Sequence, residues 1–418
     1  MSFEQERGFA ESLAETPSVL RYSDILKVGT PIADMNYHTL IPANGGTFSA
    51  NQMIRLPFNI PTDSFANLKG AYIKFTINNA DTTNAAVLDP VIGGQAFIST
   101  WRIVSGTGAL LEEIINYNVI NSLMNDMVSV GHRESNGNLL DGSSEAPLTD
   151  LALGGTGLAT VASTIEIMLP QASFPLAFNN DVAAPNTAWT ISGVELHVPV
   201  LRMGSEFNAS FRQLLSSGIP INWHSTSYHN VQTNVPTGTQ GATTLTVSTR
   251  KRSVKSIFTI FRKTTDLTDP HADSSSARRS LGVERYRYTI GGVQMPHSDI
   301  AVSATDLGES YATLTQCLSN LGNVYSSTCM NKDNYRLASD TDGASYPSGS
   351  KIAYGLDLES YGHSDVQSGK NLSNQGLPVV FNAQLSSTTG ENQALTADCS
   401  CLFVRRSFGD YYRQYVNI

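Results

Sequence analysis

The sequence predicts an all-β chain folded as two tandem sandwiches, and three observations carry that prediction. Short apolar-polar alternations recur along the chain, as strands half-buried in a sheet require. Ala71, Ile73, Phe75 and Ile77, for example, alternate with Tyr72, Lys74, Thr76 and Asn78. Turn formers separate these runs. With 33 glycines, 17 prolines, abundant Ser, Thr and Asn and only 15% charged residues, the composition favours strands joined by turns over helical bundles. Finally, landmarks of the first half return in the same order in the second. Ala96 to Ile103 with the turn Ser105-Gly106-Thr107-Gly108 answers to Glu284 to Ile290 with Gly291-Gly292. Phe174 to Phe178 answers to Leu377 to Phe381, and Pro199 to Met203 answers to Leu402 to Arg406, both at a spacing of 203 residues.

The 418 residues divide on this reading into an arm over 1–30 and two domains over 31–216 and 217–418, each long enough to bury its own core. In the arm, Ser2 and Gln5 match a capping box, and Phe9 and Leu13 lie one turn apart before Pro17 stops the helix. A helix this short is unstable alone and must dock, either on its own domain or on a neighbour. Phe3, Phe9 and Leu13 are therefore candidate interface residues.

In the first domain, the glycine turn after Ile103 is followed by an apolar-periodic helix from about Leu110 to Met127. Ile165, Ile167 and Leu169 mark a further strand. Val194, Leu196, Val198 and Val200 mark another, entered through Ser192-Gly193, where a bulge would switch faces. The loop over 136–160 contains Leu153-Gly154-Gly155-Thr156-Gly157, which lacks the Lys-Ser/Thr pair and following helix of a phosphate loop. In the second domain, strands are expected at Ser225 to Val231, Thr244 to Ser248, Lys255 to Phe261, Glu284 to Ile290, Lys351 to Leu358, Val379 to Leu385 and Cys399 to Arg405. Its helix is expected over Asp306 to Leu321, where Leu307, Tyr311, Leu314, Leu318 and Leu321 step at four and three. Asp306 and Glu309 suit its start and Gly322 its end. About eight short strands plus one inserted helix per half describe a jelly roll better than an immunoglobulin-like or lectin sandwich.

The chemistry-bearing patterns are sparse. No Gly-x-Ser-x-Gly elbow and no His-Glu-x-x-His occur. His224 and His229 are five apart on an expected strand, so they point to opposite faces. Glu112 and Glu113 are adjacent at the first turn of the expected helix, where their charge suits the dipole. Asp340-Thr341-Asp342-Gly343 resembles a calcium loop, but Lys351 stands where the bidentate Glu belongs. Cys317 falls on an apolar stripe, and Cys399 and Cys401 have no second close pair to complete a zinc site. No metal, cofactor or catalytic residue is expected.

The net charge of −9 argues against wholesale wrapping of nucleic acid and against its specific recognition. One basic run stands out: Arg250-Lys251-Arg252-Ser253-Val254-Lys255, with Arg262-Lys263, Arg278-Arg279, Arg285 and Arg287 near it in sequence. A solvated strand edge explains it. So does a cationic strip meeting an acidic neighbour, an anionic membrane or packaged nucleic acid, which makes Arg250, Lys251 and Arg252 candidate interface residues. Neither a secretory leader nor an apolar run of bilayer-spanning length is expected.

The stretch Gly93 to Met127, with Phe97-Ile98-Ser99-Thr100-Trp101-Arg102-Ile103 and Ser105 to Glu112, resembles the double jelly-roll major capsid proteins. The similarity is to those of polinton-like viruses and virophages, within the lineage of adenovirus hexon and tailless membrane-containing phages. Arg285-Tyr286-Arg287-Tyr288-Thr289-Ile290-Gly291-Gly292-Val293-Gln294-Met295-Pro296 looks like their second signature. Tyr354 to Ser360, Ser368 to Asn371 and Leu377 to Leu385 are similar to a third. The resemblance implies two upright jelly rolls with flanking helices, three chains giving a trimeric capsomer of pseudo-hexagonal outline, and capsomers tiling an icosahedral shell. It also implies localisation in the virion, the chain itself as main partner, minor capsid and penton proteins as further partners, and proximity to an inner membrane or packaged DNA. Two other classes fit the strand pattern: a carbohydrate-binding sandwich of spike or lectin type, and a glycoside hydrolase of similar fold, which needs an apposed carboxylate pair. With only Trp101, Trp189 and Trp223, all on strand-like runs, the carbohydrate reading is the weaker.

Overall fold

The computed structural model describes residues 32–61, 64–79, 87–89, 91–104, 108, 110–143, 156–162, 166–168, 176–177, 189–216, 225–235, 239–247, 251, 253–263, 278–303, 305–317, 328–335, 337, 350–359, 369–373, 378–386 and 398–408. Alternating apolar positions form strands almost throughout. In the first half these are β1 (Ile32–Leu40), β2 (Thr47–Ser49), β3 (Met53–Arg55), β4 (Ser64–Ala66), β5 (Tyr72–Asn79), β6 (Val87–Leu88), β7 (Thr100–Val104), β8 (Leu110–Ile115), β9 (Thr156–Ala162), β10 (Glu166–Met168), β11 (Leu176–Ala177) and β12 (Trp189–Met203). The second half contributes β13 (Ser225–Val235), β14 (Gly241–Val247), β15 (Val254–Lys263), β16 (Val283–Ile290), β17 (Val293–Ala301), β18 (Tyr354–Asp357), β19 (Val379–Leu385) and β20 (Asp398–Phe408). Among the described residues, three helices of eight residues or more join them: α1 (Tyr117–Asp126), α2 (Ser205–Ser216) and α3 (Gly308–Gln316).

The two halves share one topology. The first has sheets ordered β1-β12-β5-β9 and β3-β10-β7-β8, and the second has β13-β20-β15-β18 and β14-β19-β16-β17. Setting aside β2, β4 and the small β6–β11 ladder, the strands match rank for rank along the chain. Each half interleaves its first, eighth, third and sixth strands in one sheet and its second, seventh, fourth and fifth in the other. Two such facing sheets make a jelly roll, and the helix enters after the fifth strand both times. The chain is a double jelly roll, as expected, and each half is called a lobe below.

Contacts divide the chain into two compact units, one of 1–38, 59–71 and 198–220 and one of the remainder. In the smaller unit, β4 pairs with the end of β12, Phe65 opposite Leu201. Phe207 and Phe211, one turn apart on α2, meet the Phe65 ring edge-on at 5.8 and 5.1 Å. In the larger unit, Ile73, Phe75, Ile77, Ile191 and Leu196 turn inward in the first lobe, and Phe261, Tyr286, Tyr288, Tyr354 and Phe381 are buried in the second.

The first expected helix is shorter than its apolar periodicity suggested. Leu110–Ile115 is a strand that hairpins back on β7, so Glu112 and Glu113 lie on β8 and not on a helix. Asn116, in the left-handed region at φ 54, ends the strand and opens α1. In the second lobe the Gly291-Gly292 pair, with φ of 58 and 83, is a two-residue hairpin turn leading into β17, and α3 begins only at Gly308. Positive φ at both turn residues matches the twist of the flanking strands and is open to glycine at low cost. No side chain caps α3; Asp306 instead donates its backbone N–H to Ser303 Oγ at 3.0 Å. Leu318, Leu321 and Gly322 lie outside the described residues.

Other expectations were met more closely. Gly193, at φ 60, sits where the β12–β5 register shifts between Ser192 and Glu195, which is the expected bulge. The run expected as one strand over Ala96 to Ile103 is split into a 3-10 turn, Gly93–Phe97, and β7. Gly93 is required there: its φ is 51, and a Cβ would stand 2.0 Å from the Asp141 carbonyl oxygen.

Candidate functional site

The most heavily organised polar site is built around α1. This helix has two unlike faces. Asn118 and Asn125 donate to the carbonyls of Ala96 and Val91 at 3.3 and 3.1 Å, and Asn121 bonds Gln95, so an asparagine stripe ties the helix to its own lobe. On the other side Val119, Ile120, Leu123 and Met127 are buried in the hydrophobic cluster of the second lobe, with Ile257, Phe258, Ile260 and Leu372. Each such side chain withdrawn from water contributes about 1.5–3 kcal/mol. The Tyr228 hydroxyl of β13 lies 3.8 Å from Met124 Sδ, so the helix rests on the face of the β13-β20-β15-β18 sheet that carries Tyr228.

Asp126 closes the last turn of α1 and is fully buried. Its Oδ1 accepts from Arg133 Nη2 and Lys351 Nζ, both at 3.0 Å, and its Oδ2 accepts from Arg278 Nη2 at 2.6 Å. Arg133 comes from its own lobe, whereas Arg278 and Lys351 come from the other. Arg278, 1% exposed, also donates to the Lys351 carbonyl at 2.8 Å and to Ser122 Oγ at 3.2 Å. The Asp126 carbonyl accepts the Cys329 amide at 3.0 Å. Burial alone would raise the Asp126 pKa, but Lys351, Arg278 and Arg133 outweigh it and hold it at about 2. The carboxylate is thus an anion pinned between lobes, with a pKa far below that of a general acid or base near neutrality.

The candidate interface residues from the sequence fall elsewhere. Phe3, Phe9, Leu13, Arg250 and Arg252 lie outside the described residues. Lys251 is half-buried, its carbonyl accepting the Leu372 amide at 2.8 Å. The neighbouring cations do not share one solvated face. Lys255 pairs with Glu359 at 2.8 Å in a mostly buried position, Arg262, Arg278 and Arg279 are buried, and Arg285 and Arg287 flank Asp299. Cys317 is buried, as its stripe position predicted.

Asp126, Arg133 and Lys351 were not anticipated as a group. The available signal was a carboxylate placed within an otherwise apolar and asparagine-rich helix. Among the described residues, no cluster of three or more His, Cys, Asp or Glu could hold a metal ion, and no helix is long and apolar enough to cross a membrane.

Among the described residues, the site is a polar junction between two sandwiches of one topology. Comparison with solved structures gives that fold its class. PBCV-1 VP54, in a crystal structure fitted into a reconstruction of the virophage Sputnik, aligns over 92% of this chain and 98% of its own, at 8% identity and TM-score 0.57. The Faustovirus major capsid protein aligns over 94% of both chains at 10% identity and TM-score 0.56. A chain of the PBCV-1 virus capsid aligns over 91% of this chain and 95% of its own, at 8% identity and TM-score 0.56. The chain therefore has the double jelly-roll fold that these major capsid proteins have. No family model and no curated protein sequence matches it.

Proposed function

We propose that this protein is a major capsid protein, a structural rather than enzymatic subunit of a virus shell. The observation that carries the reading is the doubled topology of this chain, together with an alignment over nearly the whole of PBCV-1 VP54 and of the Faustovirus major capsid protein. Three chains would present six similar lobes, forming a homotrimeric capsomer of pseudo-hexagonal outline, and capsomers would tile an icosahedral shell. Closed symmetric assembly favours such repeated contacts. The lobes are the domains 31–216 and 217–418. The arm over 1–30, through Phe3, Phe9 and Leu13, and the run Arg250 to Arg252 are contacts between capsomers or at the inner side of the shell, near a membrane or packaged DNA. Minor capsid and penton proteins complete the particle, and the virion is where the chain resides.

The test is the mass of the purified protein by light scattering, followed by electron microscopy of concentrated samples. A three-chain mass and hexagonal outlines are expected. A single-chain mass at every accessible concentration, with no ordered particles, would sink the reading.

A further inference from the structure

The junction around α1 has the parts of a recognition site, divided between the lobes. The first lobe presents the ligand. Ten residues are too few for a stable free helix, but Asn118, Asn121 and Asn125 fasten α1 to Ala96, Gln95 and Val91 of its own lobe. Val119, Ile120 and Leu123 are thereby held in a fixed array, and Asp126 ends the same helix. The second lobe supplies three kinds of receiving group. Phe258, Ile260 and Leu372 are buried in one apolar cluster with the array. Arg278 and Lys351 hold the carboxylate at 2.6 and 3.0 Å. The Cys329 amide, 3.0 Å from the carbonyls of both Asp126 and Val128, reads the backbone where α1 stops. Neither set was copied with the fold. α3 holds the place of α1 in the second lobe, yet its last turn, Thr313 to Gln316, carries no carboxylate. Arg278 lies five residues before β16, whereas Gly93 to Ser99, which lead into β7, include no Arg or Lys.

We propose that the second lobe is a receptor for the α1 face of a first lobe, and that this recognition, not the peptide link, holds the two lobes together. The link raises the effective concentration of the parts and adds no contact to the site. Because the first lobe presents α1 already ordered, docking it loses little further conformational freedom. Because α3 and the run before β7 lack the matching groups, a first lobe pairs with a second lobe and not with its own kind. The inference goes beyond the capsid reading and stands apart from it.

A protease site inserted between Gly218 and Ile219, in the connection from α2 to β13, lets the full chain be cut after it has folded. Cut protein with no other change is expected to elute as one species at the uncut mass, with both fragments in equal amount. Arg278→Met in the same background strands Asp126 from one of its cations and should weaken the fragment pair about a hundredfold or more. Its fragments then separate on dilution where the unsubstituted ones stay paired. Should Arg278→Met fail to fold uncut, as read by circular dichroism, Lys351→Met takes its place. Separation or precipitation of the unsubstituted fragments on cutting overturns the proposal. So do substituted fragments that hold together at every dilution at which the unsubstituted ones do, because the bond then lies outside this junction. Neither result touches the capsid reading, whose test is the mass of the uncut chain.

Discussion

β5 and β15 are the same strand of the same fold, third in each lobe, yet they meet different surroundings. From Tyr72 to Asn78, β5 alternates between fully buried and half-buried or exposed positions, the pattern of a sheet with one open face. From Ser256 to Arg262 every residue of β15 is buried. The inward residues Ile257, Thr259 and Phe261 face the second sheet of their lobe, and the Thr259 hydroxyl meets Tyr288 at 2.9 Å. Ser256, Phe258 and Ile260 are on the face that carries Tyr228, against which α1 of the other lobe packs. The two lobes share a strand order, but the outward residues of β15 are buried where those of β5 are half-buried or exposed. The lesson is that an exposed sheet face in a doubled fold can be judged against its twin.

The most direct way to break the comparison is to place a charge on an outward position of each strand. Phe258→Lys would bury an unpaired ammonium where side chains are wholly enclosed, a change expected to exceed about 4 kcal/mol. Thr76→Lys, on the open face, should stay within about 0.5 kcal/mol in the separated chain. Circular dichroism of the two purified variants checks this: Phe258→Lys should lose the folded spectrum at 25 °C and Thr76→Lys should retain it. Equal tolerance would mean that β15 is not covered as described.

A second, smaller effect tests whether the cover is fastened by its ion cluster. Removing one partner of a buried charge group strands the others, at a cost of about 3–5 kcal/mol. Arg278→Met leaves Asp126 with Arg133 and Lys351 alone, and Asp126→Ala leaves Arg278 buried beside like charge. Both should lower the urea midpoint by that order, and the double variant should cost less than the two single changes added together, since the stranded charge is gone. Strict additivity would show that the two residues do not interact.

The lobes were legible in the sequence because strand periodicity is local and the repeated landmarks kept their order. Ile73, Phe75 and Ile77 declare a face by themselves, and Val379–Leu385 was delimited to the residue. The fifth strand of each lobe was not legible. Leu110-Leu111 with Ile114-Ile115 fits a helix as well as a strand, and the choice is made by pairing with Arg102 and Trp101 across a turn. Gly291-Gly292 carried the hairpin signal and could have revealed β17. The Asp126 cluster was hidden for a different reason. Its members lie 7, 152 and 225 positions from Asp126, and only the closing of one lobe on the other makes them neighbours. Arg278 stood in the sequence as part of a basic surface run, whereas the fold withdraws it almost completely from water.

The pH response of the cluster is the smallest effect and sharpens the second. The Asp126 pKa falls from an ordinary 3.8 to about 2 in the folded chain. A depressed carboxylate contributes stability that is present above its unfolded pKa and lost as pH falls through the folded value. The window is therefore about pH 4 down to about pH 2, and the contribution lost across it is roughly 2–3 kcal/mol. Urea midpoints of wild type should thus fall across that window more steeply than those of Asp126→Asn, which starts lower but has no such group to titrate. Parallel curves for the two proteins would mean that Asp126 is already neutral, or not held by Lys351, Arg278 and Arg133, in the folded chain. Because the window lies so far below neutrality, mild acidification to pH 5 should leave the Asp126 cluster charged and intact.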